Sequence, residues 1–373
     1  MNTQDNNPEI DTPGSMLPST GSVPPPPEFA VGAAAIPMAD EVTAEAGGAK
    51  TVVTEKPTTP FGDSVKRLGR DVRAMASLGL ILLFIIIAVL GPVMYQHIGS
   101  SYTSIVNGKV EASAYHSFTF QELDDLYQGP SARHWFGTDG LGRDILARLM
   151  QGLLVSLLVA LLVEIVDIVL GITFGVLAGF YGGWIDQVLA RFTDVMFAFP
   201  GLLFVILLTG ILGSQADVVF ARIPIVGPNG NARLLLVSLA LSFTVWPLMA
   251  RYVRGQALQL KQQQFIEAAR TSGTSNIKII LRHIIPNLFS IVVIASTLNI
   301  ANTIIGEAGI SLLGLGVQSP GSSLGLMISD GTELLDTKPW QVIIPIIALA
   351  VVVIAFSFLG DGLRDAFDPR SKE

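Results

Sequence analysis

The chain of 373 residues contains no cysteine, and only 14% of it is Asp, Glu, Lys or Arg. Without cysteine there is neither a disulfide framework nor a thiolate metal site. A soluble globular chain is about a quarter charged, so charge this sparse excludes an ordinary soluble domain. The histidines are His97, His116, His134 and His283, scattered and without the His-Glu-x-x-His spacing of a zinc enzyme. No Gly-x4-Gly-Lys-Ser/Thr phosphate loop is present, and the nearest fragment, Gly108-Lys109-Val110, lacks the leading glycine and the hydroxyl. ATP chemistry is therefore expected elsewhere. The first 64 residues also lack the apolar core of a secretory signal.

What is present is apolar. Half of the residues are hydrophobic, and six stretches approach the roughly 20 residues that cross about 30 Å of hydrocarbon as helix. They lie near Ala76–Met94, Leu153–Gly175, Gly201–Leu212 with its upstream flank, Leu234–Ala250, Leu288–Leu313 and Val342–Leu359. Asp186, Arg191 and Asp194 interrupt the approach to the third. Six crossings put both termini on one side. Lys66, Arg67, Arg70, Arg73, Arg251, Arg254, Lys261, Arg270, Lys278, Arg282, Arg364, Arg370 and Lys372 fall on that side. The positive-inside rule makes it cytoplasmic, although Arg133, Arg143 and Arg148 sit opposite. The formal charge of -7 says little about partners, because the acids are spread over tail and loops.

Four parts follow from this pattern. Residues 1–62, with Pro24-Pro25-Pro26-Pro27 and few large apolar side chains, are expected to form a disordered cytoplasmic tail, since they cannot bury enough surface to offset their ordering entropy. Residues 63–98 carry the first membrane helix, 99–135 a polar, aromatic-dotted extracytoplasmic loop, and 136–373 the core, with a cytoplasmic loop at 251–286. Gly171, Gly175 and Gly179 recur every four residues, a spacing that lets two membrane helices approach closely. Glu164 and Asp167 lie three apart in the second span. Acids at that depth face a bundle interior or a wet cavity. Either they contact a cation or a substrate amine in a translocation path, or they are a protonated or hydrogen-bonded pair between helices.

The 251–286 loop is the most informative segment. Gln262–Thr271 suits a short helix in which Phe265, Ile266, Ala268 and Ala269 offer a low apolar surface, Glu267 a tip contact, and Gly273 a left-handed end. A slim alanine ridge fits helix-in-groove docking. Pro286 then opens the next span, where its missing N–H costs little.

These residues carry a resemblance. Glu267-Ala268-Ala269, Gly273 six residues after the glutamate and Pro286 thirteen later resemble the cytoplasmic signature of ABC importer permeases. Arg282-His283-Ile284-Ile285-Pro286-Asn287 is similar to the dipeptide, oligopeptide and nickel branch. Phe136-Gly137-Thr138-Asp139-Gly140-Leu141-Gly142-Arg143-Asp144, Ser311-Leu312-Leu313-Gly314-Leu315-Gly316-Val317 and the closing run from Leu359 to Arg370 resemble further blocks of that branch, so the resemblance covers roughly Phe61 to Arg370.

The resemblance implies an all-α membrane protein of the type I importer permease fold, one N-terminal helix plus a five-helix core. It implies a non-enzymatic subunit that binds no cofactor itself and forms half of a pathway for di- or oligopeptides, or for nickel or another small solute. Its partners would be a second homologous permease in a heterodimer, two ATPase subunits using ATP and magnesium, and an extracytoplasmic binding protein, all at the cell membrane and without nucleic acid. Phe265, Ile266, Glu267, Ala268, Ala269, Arg270 and Gly273 would couple to the ATPase, and Glu164 and Asp167 are candidates for the pathway. The rivals are an intramembrane enzyme, for which no membrane-depth Ser/His couple or aspartyl motif is seen, and a self-contained channel or secondary transporter, whose inverted repeats are not evident.

Overall fold

The computed structural model describes residues 60–98, 102–106, 109–113, 117–223 and 232–367, all within the compact unit Lys56–Glu373. The expected tail lies outside them apart from residues 60–62, which open the first helix.

Eleven helices are present among the described residues: α1 Pro60–Leu68, α2 Val72–Ile98, α3 Ile145–Tyr181, α4 Gly183–Ala198, α5 Gly201–Phe220, α6 Ala232–Lys261, α7 Gln264–Thr271, α8 Asn276–Ile279, α9 Ile285–Leu312, α10 Leu324–Thr332 and α11 Trp340–Phe367. A π-helical turn, Ile280–Ile284, joins α8 to α9. Six helical stretches are long and apolar enough to cross a membrane: α2, α3, α5, α6, the run Asn276–Leu312 and α11. The fold is all-α in its membrane part. Between α2 and α3 the chain adds a two-stranded antiparallel hairpin, β1 Tyr102–Val106 and β2 Lys109–Ser113, in register Tyr102↔Ser113 to Val106↔Lys109.

Two spans differ from the sequence reading. The third is α5, which extends downstream to Phe220, while its upstream flank is the separate helix α4. Gly182 and Gly183, with φ of 69° and 57°, break the chain before α4, and Pro200 caps α5. The two acids of α4 pair with α6: Asp186 accepts from Arg254 at 2.5 and 2.8 Å, and Asp194 from Arg251 at 2.8 Å. Pro286 is the second residue of α9, at the helix start where it was expected, but the span itself begins earlier, at Asn276. The proline thus sits inside the continuous run, and the wider π turn before it takes up the missing N–H while Asn287 Nδ2 donates to the His283 carbonyl at 2.6 Å. Helix therefore occupies much of 251–286 at both ends, through Lys261 and again from Asn276.

The glycine stripe packs α3 on α6. A Cβ at Gly171 would stand 2.3 Å from Met249 Cγ, at Gly175 2.6 Å from the Ala250 carbonyl, and at Gly179 2.7 Å from Ala257 Cβ. Successive glycines meet successive turns of α6, so the two helices run parallel and their C-terminal ends lie together. One core joins those ends to α7 and to the start of α9, through Val176, Phe180, Val253, Ala257, Ile266, Ile279, Ile284 and Leu288. A second core joins α2, the first half of α3, α10 and α11. The bundle thus has an α7 end and an opposite end carrying α10.

Candidate functional site

At the α7 end a short helix is pinned by one side chain. Ile266 is fully buried among Phe180, Val253 and Ile279, while Phe265, Glu267, Ala268 and Arg270 are exposed and Ala269 is half-buried. The expected apolar docking surface therefore loses Ile266, which faces its own chain's core and anchors the helix. Arg270 extends back over the Phe180 ring, 5.3 Å from its centroid, and Phe265 lies 6.3 Å from the His283 ring. Gly273 ends α7 at φ 77°, with Gly273 N–H donating to the Arg270 carbonyl and Thr274 N–H to that of Ala269. This is the left-handed closure that glycine permits without steric cost.

Midway along α3, Glu164 and Asp167 are both buried. Asn299 of α9 reaches across with one amide nitrogen, donating to Glu164 Oε2 at 2.9 Å and to Asp167 Oδ2 at 3.1 Å. Asp167 also borders a cavity of 190 Å³ shared with α6 and α9.

The opposite end is organised by two aspartates of the block Phe136–Asp144. Asp139 accepts from the backbone N–H of Leu141 and Arg143 at 2.9 Å each, from Arg143 Nε at 2.8 Å and from Arg148 Nη1 at 2.7 Å. Arg148 Nη2 continues to Asp330 of α10 at 2.7 Å. Burial, then the charge of Arg148, pulls the Arg143 guanidinium below its ordinary value against the opposing pull of Asp139. Asp144 caps α3 by accepting from Ala147 N–H at 2.9 Å, and also takes the Tyr95 hydroxyl at 3.0 Å and faces His134 Nδ1 at 2.8 Å. Gly142, at φ 71°, lies where a Cβ would fall 1.8 Å from the Glu122 carbonyl, so the turn demands glycine. The block is a helix-capping knot tying α2, α3 and α10 together.

The profile described as "Binding-protein-dependent transport system inner membrane component" matches residues 171–373. The chain belongs to this family. A second profile, "N-terminal TM domain of oligopeptide transport permease C", matches residues 59–104 of the permease. The glutathione transport system permease protein GsiD of Shigella dysenteriae serotype 1 is 35% identical over 314 residues, covering 84% of this chain and 92% of that protein. The dipeptide transport system permease protein DppC of Alkalihalophilus pseudofirmus is 33% identical over 314 residues, covering 84% and 91%. Among solved structures, the MetNI methionine ABC transporter in inward-facing conformations aligns with a TM-score of 0.44 at 19% identity, over 58% of this chain and 95% of that one.

The protein is thus a multi-pass transmembrane permease subunit of an ABC importer and not an enzyme. Sequence reasoning missed three groups that the fold brings into play. Asn299 belongs to none of the sequence motifs, Asp330 lies 182 positions from its partner Arg148, and Glu307 is buried between Ser156 and Ser311 at 2.7 Å each. An asparagine or glutamate inside an apolar run was the available signal. Its partner lies on another helix and is invisible to local spacing.

Proposed function

We propose that this chain forms half of the translocation pathway of an ATP-driven importer of di- or oligopeptides. It would pair with a second, homologous permease, with two ATPase subunits gripping the α7 end and an extracytoplasmic binding protein delivering cargo to the end that carries α10. ATP and magnesium act on the partner subunits. The peptide reading draws on the relatives named for glutathione and dipeptides. The termini are cytoplasmic in this reading: Tyr95 near the end of α2 bonds Asp144 at the start of α3, so the start of α2 lies towards the α7 end, with the end of α11 beside it, where a Cβ at Gly362 would stand 2.4 Å from Ala74 Cβ. Arg133, Arg143 and Arg148, which count against that orientation, each face a carboxylate at 2.8 Å or less.

The observation that carries the coupling role is the two-sided construction of α7. Ile266 fixes the helix to the ends of α3 and α6, while Glu267, Ala268 and Arg270 stay exposed. A push on that outer face reaches α3, α6 and α9 through one shared core. A helix held this way converts partner movement into rigid-body movement of the spans.

The test uses the absence of native cysteine. A single cysteine replacing Ala268 is expected to crosslink to a cysteine placed in the cognate ATPase within the active complex, and crosslinking is expected to arrest uptake. Failure to crosslink from Ala268 or Ala269 in an active complex would remove the coupling assignment.

A further inference from the structure

The acid pair of α3 exceeds what a helix clamp requires. At 1.5 Å per residue Glu164 and Asp167 lie about 28 and 33 Å along α3, near its middle. One Asn299 amide holds both carboxylates, and its two N–H donors are thereby used. Each acid keeps a second oxygen, Glu164 Oε1 and Asp167 Oδ1, buried and without a hydrogen-bond partner. Ser296 stands beside Glu164 without completing a bond of ordinary geometry. Arg251 and Arg254 of α6 are engaged by Asp194 and Asp186 instead. Leaving two carboxylates in hydrocarbon without a cation or full hydrogen bonding is costly.

Asp167 also borders open space. The 190 Å³ cavity touches Asp167 and Asn299 and is bordered by Met249, Tyr252 and Asn302. At about 30 Å³ per water it has room for more than a single solvent molecule. Tyr252 and Asn302 are exposed at its rim. An amide turned towards lipid would forfeit its hydrogen bonds, so this rim fits a wet passage or a second subunit.

We infer that this cavity is a binding site for a cationic nitrogen, with Asp167 as its anionic wall, Glu164 as the second acid held behind it and Asn299 as the group that fixes both. The inference rests on the transport reading above, in which the group taken is the free amino-terminal ammonium of a peptide in transit. A small inorganic cation offers the same charge, and the arms of the experiment separate the two sources.

The permease–ATPase membrane complex is placed in nanodiscs without its soluble receptor. Its thermal midpoint is followed with glycylglycine, with N-acetylglycylglycine and with sodium chloride against choline chloride. Glycylglycine is expected to raise the midpoint and its acetylated form is not. The rise should vanish in Glu164→Gln/Asp167→Asn, persist in the remote exposed-site variant Glu333→Gln, and weaken in Asn302→Ala, which leaves both carboxylates in place. A rise given by sodium alone, and lost in the double variant, assigns the site to an inorganic cation and overturns the peptide-amine reading. Equal response to both peptides, no response in wild type, or a rise that survives the double variant overturns the site itself. Peptide uptake by the wild-type complex with its receptor is measured in parallel. Uptake without any midpoint response sinks only the cavity assignment, whereas absence of peptide uptake sinks the transport reading beneath it.

Discussion

Ile266 is fully buried on a helix whose neighbours face outwards. Truncating a buried isoleucine costs about 2–5 kcal/mol, more than an eight-residue helix can supply by its own propensity. Ile266→Ala is therefore expected to release α7 locally while the spans remain folded. Hydrogen exchange of the α7 amides should accelerate and uptake should fall, with little change in α3 or α11. Unchanged protection of α7 would contradict the anchor. At this scale much was legible beforehand: Gly273 takes the left-handed conformation its position suggested, because glycine's backbone freedom is a property of the residue itself. The role of Ile266 was not legible. Phe265 and Ile266 are adjacent and both apolar, and only the position of Phe180, 86 residues earlier in the chain, decides which of them turns inwards.

The elements show the same division. The glycine stripe of α3 announced a close helix contact, and the contact is there, but its partner α6 is separated by α4 and α5. The upstream flank of the third span misled for a physical reason. Asp186, Arg191 and Asp194 read as an interruption, whereas α4 is a helix in its own right whose two acids are neutralised by Arg254 and Arg251. Hydrogen bonding from Arg254 holds the Asp186 carboxyl below the ordinary carboxylate value, with burial opposing. A depressed folded-state value means that the bond's stabilisation is complete above the unfolded carboxylate range and is lost as pH falls through the folded value. Asp186→Asn should therefore weaken docking of α4 at neutral pH, and the difference from wild type should shrink under acid. Limited proteolysis at the Gly182–Gly183 junction across pH measures it, and a difference that grows on acidification would contradict the pairing.

For the whole molecule, membrane character and the number of spans followed from composition and run length, since hydrocarbon thickness fixes helix length. The hairpin β1–β2 was not legible, because strands of five residues in a polar loop carry too little periodicity to stand out. Orientation is testable directly in intact cells. Single cysteines replacing exposed Glu333 of the α10 end and exposed Lys278 of the α7 end should differ towards an impermeant thiol reagent. Glu333→Cys is expected to label at once and Lys278→Cys only after permeabilisation, and the reverse order would invert the topology.

In the proposed transport role this subunit moves peptide only when partners drive it through α7. The most direct measurement is peptide accumulation in proteoliposomes containing this permease with its homologous partner, both ATPases and the binding protein, set against the permease alone. Accumulation that requires ATP and every partner is the predicted result. Peptide entry through this chain by itself, without ATP, would rule that role out.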